Sequence, residues 1–249
     1  MKVIFNADDF GLSKAVNLGI CEAYEQGVVR STSMMAQMPG FDHAVALHQR
    51  HPGLRIGVHL TLTAGKPLGE GYQTLIDSAG NFLKLGELTG KASAGELDLT
   101  EVEREYELQI QKVSGAGIEI THLDSHHHTH TLAGLLPVFL KVAKKYKLKV
   151  RLYDRSSLGE EYASLKSVAH FDDGFYSEGA TLDTLRGVLC GSKYDSAEIM
   201  CHPAYVDADL YERSSYNVPR IFELRTLTDT RLQTLIREEQ IDLCSYAEL

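Results

Sequence analysis

Short apolar runs alternate with amphipathic stretches along this chain, and that alternation constrains it to an α/β fold with a largely parallel sheet. Strands are expected over residues 3–6, 31–38, 56–60, 148–152, 197–201 and 241–245. Helices are expected from Ser13 as N-cap to Gly27, then over 42–49, 97–113, 132–146 and 181–189, with one or two more inside 219–239. Four apolar runs stop at residues of metal-ligand or acid–base type: Asp8 and Asp9, His59, Asp124 with its neighbouring histidines, and His202. In parallel α/β folds the carboxyl ends of the strands converge on one face, so residues this far apart can share a site.

The densest of these endings is Thr121-His122-Leu123-Asp124-Ser125-His126-His127-His128-Thr129-His130, which holds five of the eleven histidines. It lies mid-chain and is no expression tag. Neutral imidazole is the commonest metal ligand, and the competing reading is a solvated polar loop. Carried through as a strand, its parity groups His126 with His122, Asp124 and His128 and turns His127 away.

Charge and length bound what surrounds that site. At 249 residues the chain is expected to form a single domain, 1–249, with a full core. A formal net charge of -9 argues against a nucleic-acid partner, which would want a basic face. No apolar run reaches the length of a membrane span, and the start lacks the basic and apolar regions of a signal peptide. Cys21, Cys190, Cys201 and Cys244 are widely spaced and read as free thiols in a reducing cytoplasm. Cys201 beside His202 is the one candidate nucleophile, though nothing nearby marks it as activated. Residues 61–94 carry six glycines and read as a long binding loop or lid, followed by Thr100 and Glu103 as a capping box.

Several of these stretches resemble the YdjC-like carbohydrate deacetylases, of which the chito-oligosaccharide deacetylases are the best known. The likeness is carried by Asn6-Ala7-Asp8-Asp9-Phe10-Gly11, Gly57-Val58-His59-Leu60, Thr121 to His128 and Met200-Cys201-His202-Pro203-Ala204. Gly65-Lys66-Pro67-Leu68, Pro219-Arg220 and Glu223-Leu224 extend it towards the C-terminus. The resemblance implies a distorted (β/α) TIM-like barrel related to the polysaccharide deacetylases, and a homodimer. It implies a divalent cation, Mg²⁺, held by Asp9, His59 and His126, whereas imidazole donors by themselves favour Zn²⁺. It implies an N-acetylated sugar as substrate, with Asp8 as general base and His202 as general acid.

Other readings stand beside these. Asp8 and Asp9 are adjacent and could exchange roles; Asp9 could cap the following helix, His59 could be a core histidine, and His202 could bind substrate. Arg151 either orients a catalytic carboxylate or makes a surface ion pair. Phe171-Asp172-Asp173-Gly174 copies the aspartate-pair motif of the wider polysaccharide deacetylases and is read as a turn. The rival functions are a phosphoesterase on a similar barrel and a non-catalytic sugar-binding protein.

Overall fold

The computed structural model describes residues 1–191 and 193–249, and among these it has eight strands and nine α-helices. The strands are β1 (Lys2–Phe10), β2 (Ser31–Met34), β3 (Arg55–Leu60), β4 (Ile120–Ser125), β5 (Lys149–Val150), β6 (His170–Asp172), β7 (Ser196–Cys201) and β8 (Asp242–Leu243). The helices are α1 (Lys14–Glu25), α2 (Phe41–Arg50), α3 (Leu85–Ala94), α4 (Leu99–Gly115), α5 (Leu135–Tyr146), α6 (Leu182–Gly191), α7 (Ala208–Arg213), α8 (Pro219–Leu227) and α9 (Thr230–Glu238). The sheet runs β5-β4-β3-β2-β1-β7-β6, and every ladder in it is parallel. β8 pairs with the first residues of β1, below the stretch that pairs with β2. The result is a curled half-barrel, with no ladder from β5 to β6 among the described residues.

The two faces of the sheet carry opposite chemistry. Val3, Phe5 and Ala7 of β1 join the large apolar cluster shared with the helices, together with Ile56 and Val58 of β3 and Leu123 of β4. Most of the alternate positions are polar: Asn6 and Asp8, Ser31 and Ser33, His59, His122 and Asp124, and Glu198, all buried, while Ile4 clusters with Val168, Cys244 and Tyr246. Period-2 alternation therefore survives in a sheet covered on both sides, because the concave face is filled by a polar network rather than by aliphatic layers.

Gly57 belongs to that concave face and makes room for a ring. A Cβ there would overlap the His122 ring at Cε1, and His122 is itself stacked on Tyr246 with ring centres 4.0 Å apart. Neither ring has space to retreat, since both are fully buried. Gly57→Ala is expected to cost about 1–3 kcal/mol of stability through overpacking, read as a lower midpoint in urea unfolding.

Several expected boundaries move. Helix α4 is capped by Asp98, whose side chain accepts from the Thr100 N–H at 2.8 Å, so the Thr100–Glu103 box is displaced by a better-placed carboxylate. Residues 61–94 are not wholly loop, because 85–94 form α3. The first half of that stretch is clasped to α4. Glu105 accepts from the N–H groups of Leu68 and Gly69 and from the Tyr72 hydroxyl, while Glu101 accepts from Gln73 and Thr74. The stretch read as a turn at 171–174 begins inside β6, and only from Asp172 onward does it turn, through Gly174 N–H to Asp172 Oδ1 at 3.0 Å.

Candidate metal and catalytic site

The carboxyl ends of the strands open into a cavity of about 310 Å³. Its lining includes Asp8, Asp9, His59, His126 and His202, so the structure brings together all five residues singled out from the sequence. It also brings His127, His128, Asp173, Tyr176, Tyr216 and Arg220 to the wall. No residue of 61–94 is among those lining it.

Asp8 and Asp9 lie inside β1, which runs on to Phe10 rather than stopping at Asn6. The register with β2 slips between Ala7 and Phe10, and Asp9 takes a φ of 71°, a conformation costly for a non-glycine residue and common at functional sites. That irregularity lets two consecutive carboxylates serve one cavity. Asp8 Oδ1 and Oδ2 accept from Arg151 Nη2 and Nη1, both at 2.7 Å, and Oδ1 also accepts from Asn6 at 2.8 Å. Asp9 Oδ2 accepts from Arg220 at 2.6 Å, but its Oδ1 is buried with no hydrogen-bond donor.

Two rings face that orphaned oxygen. His126 Nδ1 is 3.0 Å from Asp9 Oδ1 and His59 Nε2 is 3.4 Å from it. One ligand atom from each of Asp9, His59 and His126 falls within 4.8 Å of the others, as a metal site requires. A buried carboxylate oxygen lacking a donor, next to two ring nitrogens, fits a cation there. A second trio, Asp8, His59 and Asp124, meets the same distance test. Its oxygens are already engaged by Arg151 and by His59 Nδ1, which makes it the weaker cage.

Asp124 has a different use. It is the register partner of His59 across β3 and β4, and its Oδ1 takes the His59 Nδ1–H at 2.8 Å. This bond sets the tautomer that leaves Nε2 free towards Asp9, the arrangement common behind metal-ligating histidines. Burial alone would discourage charge on the His59 ring, yet the Asp124 and Asp8 carboxylates raise its pKa to about 10. The pocket favours a positive charge at this point, which a metal cation would supply as well as a proton. The carboxylates Asp8, Asp9, Asp124 and Glu198 outnumber the guanidiniums of Arg151 and Arg220 they pair with, so a further positive charge, on the His59 ring or on a cation, is favoured there.

Arg151 is wholly buried, which removes its surface-ion-pair reading. Besides Asp8 it reaches Asp124 Oδ2 at 3.0 Å and Glu198 Oε1 at 2.6 Å, and Glu198 also accepts from the Tyr246 hydroxyl. Burial would raise Asp8, but the guanidinium outweighs it and holds the carboxyl below its usual range. Burial keeps Glu198 above its usual value despite the same guanidinium.

His202 stands across the cavity, just beyond β7. Burial, aided by Arg220, lowers its pKa to about 3, so the resting ring is neutral. Its Nδ1 is buried and unbonded, with Glu223 Oε1 3.8 Å away. Glu223 also accepts the His202 backbone N–H and the Tyr216 hydroxyl, and burial raises its pKa to about 7. Cys201 is buried and its thiol is pushed well above the usual range, first by burial and then by Glu223, so it is no nucleophile.

Strand parity fails in the histidine run. β4 ends at Ser125, and His126–Thr131 is a 3-10 turn in which His127 and His128 have φ of 55° and 51°. Strand alternation does not apply there. His127 lies against the His126 ring, centres 3.9 Å apart, lines the cavity, and bonds Thr63 Oγ1 through Nδ1 at 2.9 Å. His130 packs on Phe139 and bonds Ser125, while His122 sits deep on Tyr246; both are structural. Asp9 does not cap α1, because Ser13 does, accepting from Val16 N–H.

Glu198, Tyr176 and Tyr216 stand in no motif of the sequence, Arg220 and Glu223 are marked there only by the family likeness, and Asp124 only as a polar strand end. The signal for one of them is legible in retrospect. Glu198 is a lone charge in an apolar strand sequence, and a buried charge demands a partner, which Arg151 supplies.

The sequence model of the YdjC-like protein family matches residues 2–238. The chain belongs to the YdjC-like family. It is 42% identical over 252 residues to "Carbohydrate deacetylase 1" of Listeria innocua serovar 6a, and 38% identical to "Carbohydrate deacetylase" of Clostridium beijerinckii, each alignment covering all of both chains. A crystal structure of a candidate cellobiose-phosphate cleavage protein from Enterococcus faecalis superposes with a TM-score of 0.90 at 35% identity, covering 99% of this chain and 98% of the other. A structure described as "T48 deacetylase with substrate" matches with a TM-score of 0.52 at 13% identity, over 98% of this chain and 88% of that one, and shares the fold. This YdjC-like chain thus shares its fold with that deacetylase.

Proposed function

We propose that this chain removes the acetyl group from an N-acetylated sugar or short oligosaccharide. Asp8 is the general base, His202 the general acid, and Asp9, His59 and His126 the ligands of a divalent cation. The observation that carries the reading is the orphaned Asp9 Oδ1 facing two ring nitrogens, in a cavity that also holds Asp8 and His202. The names of its full-length relatives support a carbohydrate substrate.

A divalent cation bound there would polarise the acetyl carbonyl and acidify water. Asp8, kept ionised by Arg151, accepts the proton of the attacking water; its Oδ2 makes one hydrogen bond and keeps a lone pair. His202 delivers a proton to the sugar nitrogen as the C–N bond breaks, giving acetate and the free amine. Its resting ring is neutral, so the proton it delivers is the one Asp8 takes from the attacking water, passed on within the cavity, and Glu223 is the group next to the charged ring.

Mg²⁺ is proposed on the family likeness, with Zn²⁺ the rival that two imidazoles and one carboxylate favour. A cytoplasmic location is proposed on the four free cysteines, and a homodimer on the family likeness. No helix is long and apolar enough to cross a membrane. A phosphoesterase would want a basic cavity, yet Arg220 is the one Lys or Arg among the described lining residues, and it is bonded to Asp9. A non-catalytic binder would have no need of both Asp8 and His202.

Acetate release from diacetylchitobiose by metal-loaded protein tests the reading. His59→Ala and His126→Ala are each expected to lose bound metal and activity together while the chain stays folded by circular dichroism. No acetate from the loaded wild type refutes the function, and full metal occupancy in both variants refutes the ligand assignment.

A further inference from the structure

On the reading that the cavity receives an N-acetylated sugar, we infer that Tyr176, backed by Tyr216, is the platform on which a pyranose ring stacks beside His202. The two tyrosines are stacked, with ring centres 3.9 Å apart and planes 15° from parallel. Both line the cavity, and each meets the His202 ring edge-on with centres 5.6 Å apart. Tyr176 is 42% exposed although one of its faces is taken by Tyr216. The exposure therefore falls on the other face and the edge.

Exposed aromatics are ordinary on protein surfaces, and Tyr211 is more exposed than Tyr176 without lining the cavity. What sets Tyr176 apart is the way its support is fixed. The Tyr216 hydroxyl donates to Glu223 and accepts the Ser177 N–H at 2.7 Å, which ties the segment after β6 to α8. The Tyr216 carbonyl accepts from Arg220 Nε at 2.7 Å, and the Arg220 guanidinium lies 5.4 Å from the ring centre. Ser177, next to Tyr176, is held at a φ of 54°. A ring ordered before the ligand arrives loses little further freedom on binding.

A pyranose suits this surface. One face of the ring is a patch of C–H groups that an aromatic face covers, while its rim of hydroxyls stays polar. Asp173 and Ser215 in the same lining offer polar partners for that rim. A sugar seated on Tyr176 lies beside the proposed acid, His202, in the same cavity as Asp9, His59 and His126. Tyr176 is thus a specificity residue that acts through binding.

The test compares wild type, Tyr176→Phe and Tyr176→Ala by calorimetric binding of diacetylchitobiose to metal-free protein and by steady-state kinetics with metal restored. Tyr176→Ala is expected to weaken binding, and to raise KM, by roughly tenfold or more with kcat changed less than threefold, as for uniform binding. Tyr176→Phe keeps the ring and is expected to match wild type within about threefold. Wild-type affinity in Tyr176→Ala, an equal loss in Tyr176→Phe, or no binding by wild type would each overturn the platform. Binding that depends on Tyr176 in a protein that releases no acetate would sustain the platform and sink the deacetylase reading instead.

Discussion

Arg151→Met is expected to destabilise the protein by about 3–5 kcal/mol or more, the range for removing one partner of a buried ion pair. One guanidinium here serves three buried carboxylates, Asp8, Asp124 and Glu198, and none is more than 2% exposed. Without it, desolvation that now raises Glu198 would be opposed at the other two mainly by His59, and protonating a carboxylate is the cheapest relief. The urea midpoint of the variant should therefore fall steeply and recover in part at low pH. Adding Glu198→Gln to Arg151→Met should cost less than the sum of the single changes, because one of the stranded charges is gone. A midpoint unchanged by Arg151→Met would mean that the network is not what holds the concave face together.

Asp8→Asn and Asp9→Asn should separate cleanly, although the residues are neighbours. Asp9→Asn exchanges the anionic oxygen facing His59 and His126 for a neutral amide and weakens the pair with Arg220. Bound metal should be lost, and activity with it. Asp8→Asn keeps the shape but removes the proton acceptor, so metal should stay while kcat falls by about 10²–10⁴-fold. Metal content and kcat, measured on both variants, decide the assignment. Loss of metal from Asp8→Asn with retention in Asp9→Asn would favour the second trio, Asp8, His59 and Asp124, and exchange base and ligand. The deacetylase proposal would survive that exchange.

Much of this site is legible in the order of residues along the chain. Asp8, Asp9, His59 and His202 sit at or just beyond the ends of apolar strands, and the parallel α/β rule that gathers strand ends on one face needs only the order of elements. The histidine run is legible as a place and not as a geometry. Two consecutive left-handed residues, His127 and His128, break the strand pattern, and nothing local in a row of three identical side chains announces where a strand stops.

Alternation is written in the sequence alone: strands apolar at one set of positions and polar at the other, with Asn6 and Asp8, Ser31 and Ser33, Gly57 and His59, His122 and Asp124 two residues apart. Period 2 commits such residues to a common face whatever the rest of the chain does. How they pair is settled by the folded sheet. Arg151 meets Asp8 across 143 positions and Arg220 meets Asp9 across 211. Whether a carboxylate becomes a ligand, a base or a counter-ion depends on which cation lies within hydrogen-bond reach, since ionic and hydrogen-bond energies in a buried site change sharply over an ångström or two. That distance is a property of the curled sheet, in which register sets His59 opposite Asp124, and of the bulge that turns Asp9 away from the guanidinium that holds Asp8.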